Sequence, residues 1–171
     1  MKIIYVVAFK LCWLALVYWQ YLLMLPVLLY WGFAMLRLHH KARLAVLLLT
    51  LCGVLLDSVL VASGWLNFAG NTLLPIWMMV LWACFALMLV QVLADLLRYW
   101  WLAALFGAVG GPLAYWGGSV LGGELLYQPV LELSLLLALC WSLLMAVFVH
   151  YRFLWSNQHE TLRFDAKAAG R

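Results

Sequence analysis

Nearly every stretch of about twenty residues between Ile3 and Val149 is apolar enough to cross the hydrocarbon of a bilayer, and nothing else restricts the fold so strongly. A soluble chain of this length needs a polar shell. With 70% of its 171 residues apolar and 9% charged, this one has no such shell. The sequence therefore reads as all-α, a polytopic transmembrane helical bundle.

Turn signals divide it into six spans, roughly 3–19, 22–38, 44–62, 76–97, 101–122 and 130–149, with a polar basic tail over 150–171. The first two are tight, because Gln20 and its neighbours must make the turn and Pro26 falls early in the second helix. One long helix over 11–36 would give five spans instead, and charge decides between the two. With six spans and both termini cytoplasmic, Lys2, Arg37, Lys41, Arg43, Arg98, Arg152, Arg163, Lys167 and Arg171 lie at inner ends, nine of the ten basic residues. The loops around Gln20, 63–75 and 123–129 then carry no Lys or Arg, the asymmetry that insertion requires. The positive start and apolar run of the N-terminus lack a small-x-small cleavage pattern, so they read as a span and not as a signal peptide.

Trp19, Trp65, Trp77, Trp100, Trp101 and Trp155 fall near the expected interfaces, where an indole ring is favoured. Trp13, Trp82, Trp116 and Trp141 lie deeper and are expected to pack between helices or against lipid.

A carboxylate inside hydrocarbon costs on the order of 3 kcal/mol, so each intramembrane charge needs a partner. Asp57 lies near the outer end of the third helix, on a face with Thr50, Gly53 and Gly64 that turns toward other helices. It is either a protonatable carboxylate in a binding cavity or a structural hydrogen-bond hub held by Ser, Tyr or backbone partners. Lys10 sits about eight residues into the first helix, roughly 12 Å deep, from where its stem is expected to snorkel inward. Asp95 and Arg98 read as an interfacial ion pair. Glu132 suits the first turn of the helix that Gln128-Pro129 opens.

The fifth helix carries a small-residue ridge of Gly107, Gly111, Ala114, Gly118 and Gly122, and Pro112 is expected to kink or break it near mid-membrane. Enzyme chemistry finds little support. Ser119 would need a histidine in reach, but His39, His40, His150 and His159 all fall at or near the cytoplasmic side. Asp57 and Asp95 lie near opposite surfaces and cannot meet as a protease dyad. Cys12, Cys52, Cys84 and Cys140 are spread singly over four helices and read as small, buried, reduced residues, with neither a metal site nor a disulfide implied. No cofactor and no nucleic-acid partner is expected.

Three blocks carry a resemblance: Leu55-Leu56-Asp57-Ser58 followed by Gly64; Pro75 with Trp77-Met78-Met79-Val80-Leu81-Trp82; and GGPLAYWGG over residues 110–118. Together they resemble the bacterial membrane-protein family catalogued as domain of unknown function 2878, over residues 1 to about 150. The resemblance implies a small inner-membrane protein encoded near genes for lipid-modifying enzymes, and it supplies no catalytic residues. Two functions follow as expectations. One is a non-enzymatic accessory to membrane lipid (fatty acid) modification, with the bilayer and lipid-modifying enzymes as partners and Arg152, Trp155 and Arg163 touching anionic headgroups. The other is a small proton- or solute-binding carrier using Asp57, Ser58, Pro112 and Tyr115 beside a helix break.

Overall fold

The computed structural model describes residues 2–68, 73–93, 99–122, 125–127 and 129–151. Among them are six α-helices: α1 (Lys2–Trp19), α2 (Met24–Leu36), α3 (His40–Ala62), α4 (Ile76–Met88), α5 (Trp100–Gly122) and α6 (Val130–His150). The turn expected at Gln20 is a 3-10 segment, Gln20–Leu22, and Gln20 itself takes a left-handed φ of 44°. A single helix over 11–36 is therefore excluded. At its other end, α2 is closed by Arg43, whose Nε and Nη2 donate to the carbonyls of Leu38 and Leu36 at 2.8 and 2.9 Å. A cation bonded to the last carbonyls of a helix also suits its dipole.

Three segments are long and apolar enough to cross a membrane: Ile3–Leu22, His40–Ala62 and Val130–His150. The expected second span, 22–38, contracts to the 13 residues of α2, which at 1.5 Å per residue cover roughly 20 Å of a hydrocarbon core about 30 Å thick. The fourth continues from α4 through a π-helical turn at Leu89–Leu93. Helix α5 has 23 residues, but its glycines, tryptophans and Pro112 dilute its hydropathy.

The outward faces identify the solvent for which the chain is built. Along α6, Leu131, Leu135, Leu139, Leu143 and Val147 are exposed at every fourth position, while Leu133, Leu137, Trp141 and Met145 are buried. A helix that is apolar on both faces suits hydrocarbon outside and protein inside.

Helix α4 is the centre of the packing. Eleven of its residues are buried, and α1, α2 and α3 all pack on it. The Trp31 indole on α2 donates to the Ala83 carbonyl of α4 at 3.0 Å. Helices α5 and α6 form the most extensive pair in the molecule. The small-residue ridge of α5 serves two neighbours, not one. A Cβ at Gly107 would stand 2.4 Å from the Trp141 carbonyl oxygen of α6, and a Cβ at Gly122 would stand 2.8 Å from the Val17 carbonyl oxygen of α1. Close approach of backbones is what such glycines permit.

Two expectations are corrected here. Helix α5 does not break at Pro112 but runs as one α-helix from Trp100 to Gly122; the proline removes one hydrogen bond without ending the helix. A short ribbon joins two of the loops. Strand β1 (Leu66–Phe68) pairs antiparallel with β2 (Leu125–Tyr127), Leu66 opposite Tyr127 and Phe68 opposite Leu125. The C-terminal ends of α3 and α5 thus meet at one end of the bundle, as the charge pattern required. Trp77 is not an interfacial anchor but a buried residue, its ring edge-on to Phe68 at 5.9 Å. Trp19, Trp100 and Trp101, also expected near the interfaces, are exposed.

The ridge yields a paired test. Gly107→Ala drives a methyl group into the α6 backbone, which cannot yield cheaply, and is expected to cost about 1–3 kcal/mol. Gly110→Ala meets nothing nearer than the Phe106 ring at 3.7 Å and is expected to be neutral or stabilising. Thermal unfolding of the two variants in detergent distinguishes them.

Candidate functional site

Helix α3 buries Val46, Leu49, Gly53, Asp57 and Leu60 on one face. That spacing of three and four carries Asp57 into the bundle, where it is 0% exposed. One turn earlier, a Cβ at Gly53 would lie 2.1 Å from the Trp82 ring, so only glycine admits that indole. Trp82, on α4, then donates its Nε1–H to Asp57 Oδ2 at 2.6 Å, and the Tyr115 hydroxyl on α5 donates to Oδ1. One carboxyl group joins three helices. Each donor needs an acceptor where water is absent, and Asp57 supplies both.

Of the expected quartet, Asp57 and Tyr115 come together and the other two stand apart. Ser58 Oγ donates to the Val54 carbonyl of its own helix at 2.6 Å. Pro112 is only half-buried and adjoins no break. Thr50 likewise bonds the Val46 carbonyl of its own helix at 2.8 Å, and Gly64 lies beyond the end of α3 in a left-handed turn, off the polar face. The indoles of Trp82 and Trp141 were not anticipated as site residues. The available signal was Gly53, a missing side chain one turn before a buried acid.

Trp141 of α6 stacks on Trp82 with ring centroids 4.9 Å apart and a 22° tilt, and meets Phe85 edge-on at 5.0 Å. Gly111 makes this possible, since a Cβ there would lie 2.4 Å from the Trp141 ring. The Trp141 Nε1 is buried without a hydrogen-bond partner, so stacking and not hydrogen bonding holds this indole.

Against this aromatic wall lies a cavity of about 520 Å³, bounded by α1, α4 and α5. Phe9, Trp13, Met88, Phe106 and Ala114 line its sides, while Trp82, Tyr115 and Trp141 line the wall itself. Among the described residues of the lining, Lys10 is the one that carries a charge. It is exposed, with Nζ 5.8 Å from the centroid of the Trp13 ring.

The remaining candidates contribute little. Arg152, Trp155 and Arg163, and the Asp95–Arg98 pair, lie outside the described residues. Ser119 Oγ bonds the Trp116 carbonyl at 2.8 Å. Among the described residues no three His, Cys, Asp or Glu side chains come together as a metal would need. The cysteines are not all solitary or buried. Cys12 of α1 and Cys84 of α4 share a side-chain hydrogen bond, whereas Cys52 is exposed. Glu132 occupies the first turn of α6 as expected.

An apolar-faced helical bundle with an acid-centred junction and an apolar cavity defines an integral membrane protein of the all-α class. Within that class, the chain belongs to the family described as Protein of unknown function (DUF2878), whose model matches residues 2–147. No curated protein and no solved structure matches it.

Removing the acid strands two buried donors. Asp57→Leu is expected to cost about 2–6 kcal/mol, and Tyr115→Phe about 1.5–3 kcal/mol, at the going rate for unpaired buried groups and bonds to charged ones. Asp57→Asn accepts from Trp82 and donates to Tyr115, so it is expected to lose less than half as much as Asp57→Leu. Unfolding in detergent orders the three.

Proposed function

We propose that the protein is a non-enzymatic accessory of membrane lipid modification, sheltering an acyl chain between α1, α4 and α5 for presentation to lipid-modifying enzymes. The observation that carries this reading is the cavity. Its volume of about 520 Å³ falls in the range of roughly 300–1,000 Å³ typical of small-molecule sites, and its lining is almost wholly apolar and aromatic. A single chain fits such a space better than a hydrated solute does. The alternative, a carrier working through Asp57, has less behind it, because both carboxylate oxygens are engaged by Trp82 and Tyr115 and the residue is fully buried.

In this reading the chain crosses a bacterial inner membrane six times with both termini cytoplasmic. Supporting it are the basic turn of Arg37, Lys41 and Arg43 between α2 and α3, and the β1–β2 ribbon that joins the two cation-free loops at the opposite ends of α3 and α5. The lipid-modifying partner is proposed on the family resemblance alone, which is an association and not a mechanism.

The test is a comparison of membrane fatty acids between a deletion strain and its parent, with complementation by wild type and by Ala114→Trp, which fills the cavity. An altered profile restored by wild type and not by Ala114→Trp is expected. Identical profiles under every stress applied would remove the proposal.

A further inference from the structure

We infer that the occupant of the α1–α4–α5 cavity is a long-chain fatty acid whose carboxylate pairs with Lys10. The inference rests on the lipid-holding reading and adds the chemistry of the head group.

The argument is one of charge balance. Lys10 stands about midway along α1, nine residues into an 18-residue helix, and so roughly 12 Å from either end. At that depth a cation is costly without an anion. Among the described residues the cavity lining contains no carboxylate, and Asp57, behind the wall, has both oxygens taken by Trp82 and Tyr115. The Trp13 ring face near Nζ offers a weak attraction but no countercharge. An acidic occupant supplies the anion that the described lining lacks. One lysine is a compact point charge that matches one monovalent acid. A phosphate monoester brings a second negative charge, and among the described residues no second cation lines the cavity to meet it. A phospholipid keeps its phosphate at headgroup level, well away from the middle of α1. A single chain ending in a carboxylate satisfies the apolar walls and the lone cation together.

The experiment uses the full chain in a neutral maltoside detergent and reads quenching of tryptophan emission, since Trp13, Trp77, Trp82 and Trp141 all line the cavity. The probes are brominated stearate, brominated stearyl alcohol and lysophosphatidylglycerol as a competitor. The acid is expected to quench saturably and to bind on the order of tenfold more tightly than the alcohol, a difference of about 1.4 kcal/mol. Lys10→Gln is expected to abolish that preference while leaving alcohol binding unchanged, and Lys10→Arg to retain it. Equal binding of acid and alcohol to the wild type, equal loss of both in Lys10→Gln, or displacement of the acid by lysophosphatidylglycerol at lower concentration than by stearate would each overturn the inference while leaving the acyl-chain reading intact. If neither chain quenches and Ala114→Trp changes nothing, the acyl-chain reading itself falls and takes this inference with it.

Discussion

A buried carboxylate that accepts from two helices at once is the constraint around which this molecule is arranged. Asp57 has no exposed surface, and its two oxygens take the Trp82 indole N–H and the Tyr115 hydroxyl. In hydrocarbon there is little apolar driving force between helices, since lipid tails are as apolar as leucine; packing and hydrogen bonds must hold the bundle together. The junction of α3, α4 and α5 supplies hydrogen bonds, and the glycines beside it supply packing. Gly53 admits Trp82, Gly111 admits Trp141, and the two indoles stack. A polar contact and an aromatic stack thus share one wall, and each depends on a missing side chain.

That wall gives the cavity its shape. Helices α4 and α5 are tied through Asp57 on one side, and α1 approaches α5 at Gly122 on the other. Between these fastenings α1 stands off far enough to leave an apolar space with Lys10 in its lining. The acid fixes Trp82 and Tyr115 in the wall of that space, while the cation is part of its lining. Sequence alone drew attention to the acid; the geometry engages both its oxygens and places the lysine, not the acid, in the cavity lining.

Much of the architecture was legible in the sequence because hydrophobic length and charge asymmetry are local or additive signals. The six helices, the turn at Gln20, the first-turn placement of Glu132 and the shared end of the loops after α3 and α5 all follow from them. The partners of Asp57 were not legible, since they lie 25 and 58 residues away, and a small-residue face announces a neighbour without naming it. Pro112 misled for a related reason. A proline states that one backbone bond is absent, whereas continuity of the helix depends on what surrounds it. Trp77 likewise looked interfacial by position, but the fold of β1 across it buries it beneath Phe68. The cavity itself had no signature beyond Lys10, because an empty volume is a property of packing.

The central claim is that Asp57 and Tyr115 act as a pair across the α3–α5 junction, and a double-mutant cycle on Asp57→Ala and Tyr115→Phe measures it most directly. The account predicts a coupling free energy of about 1–3 kcal/mol from unfolding in detergent, as for residues sharing a hydrogen bond. Strict additivity of the two losses would contradict it.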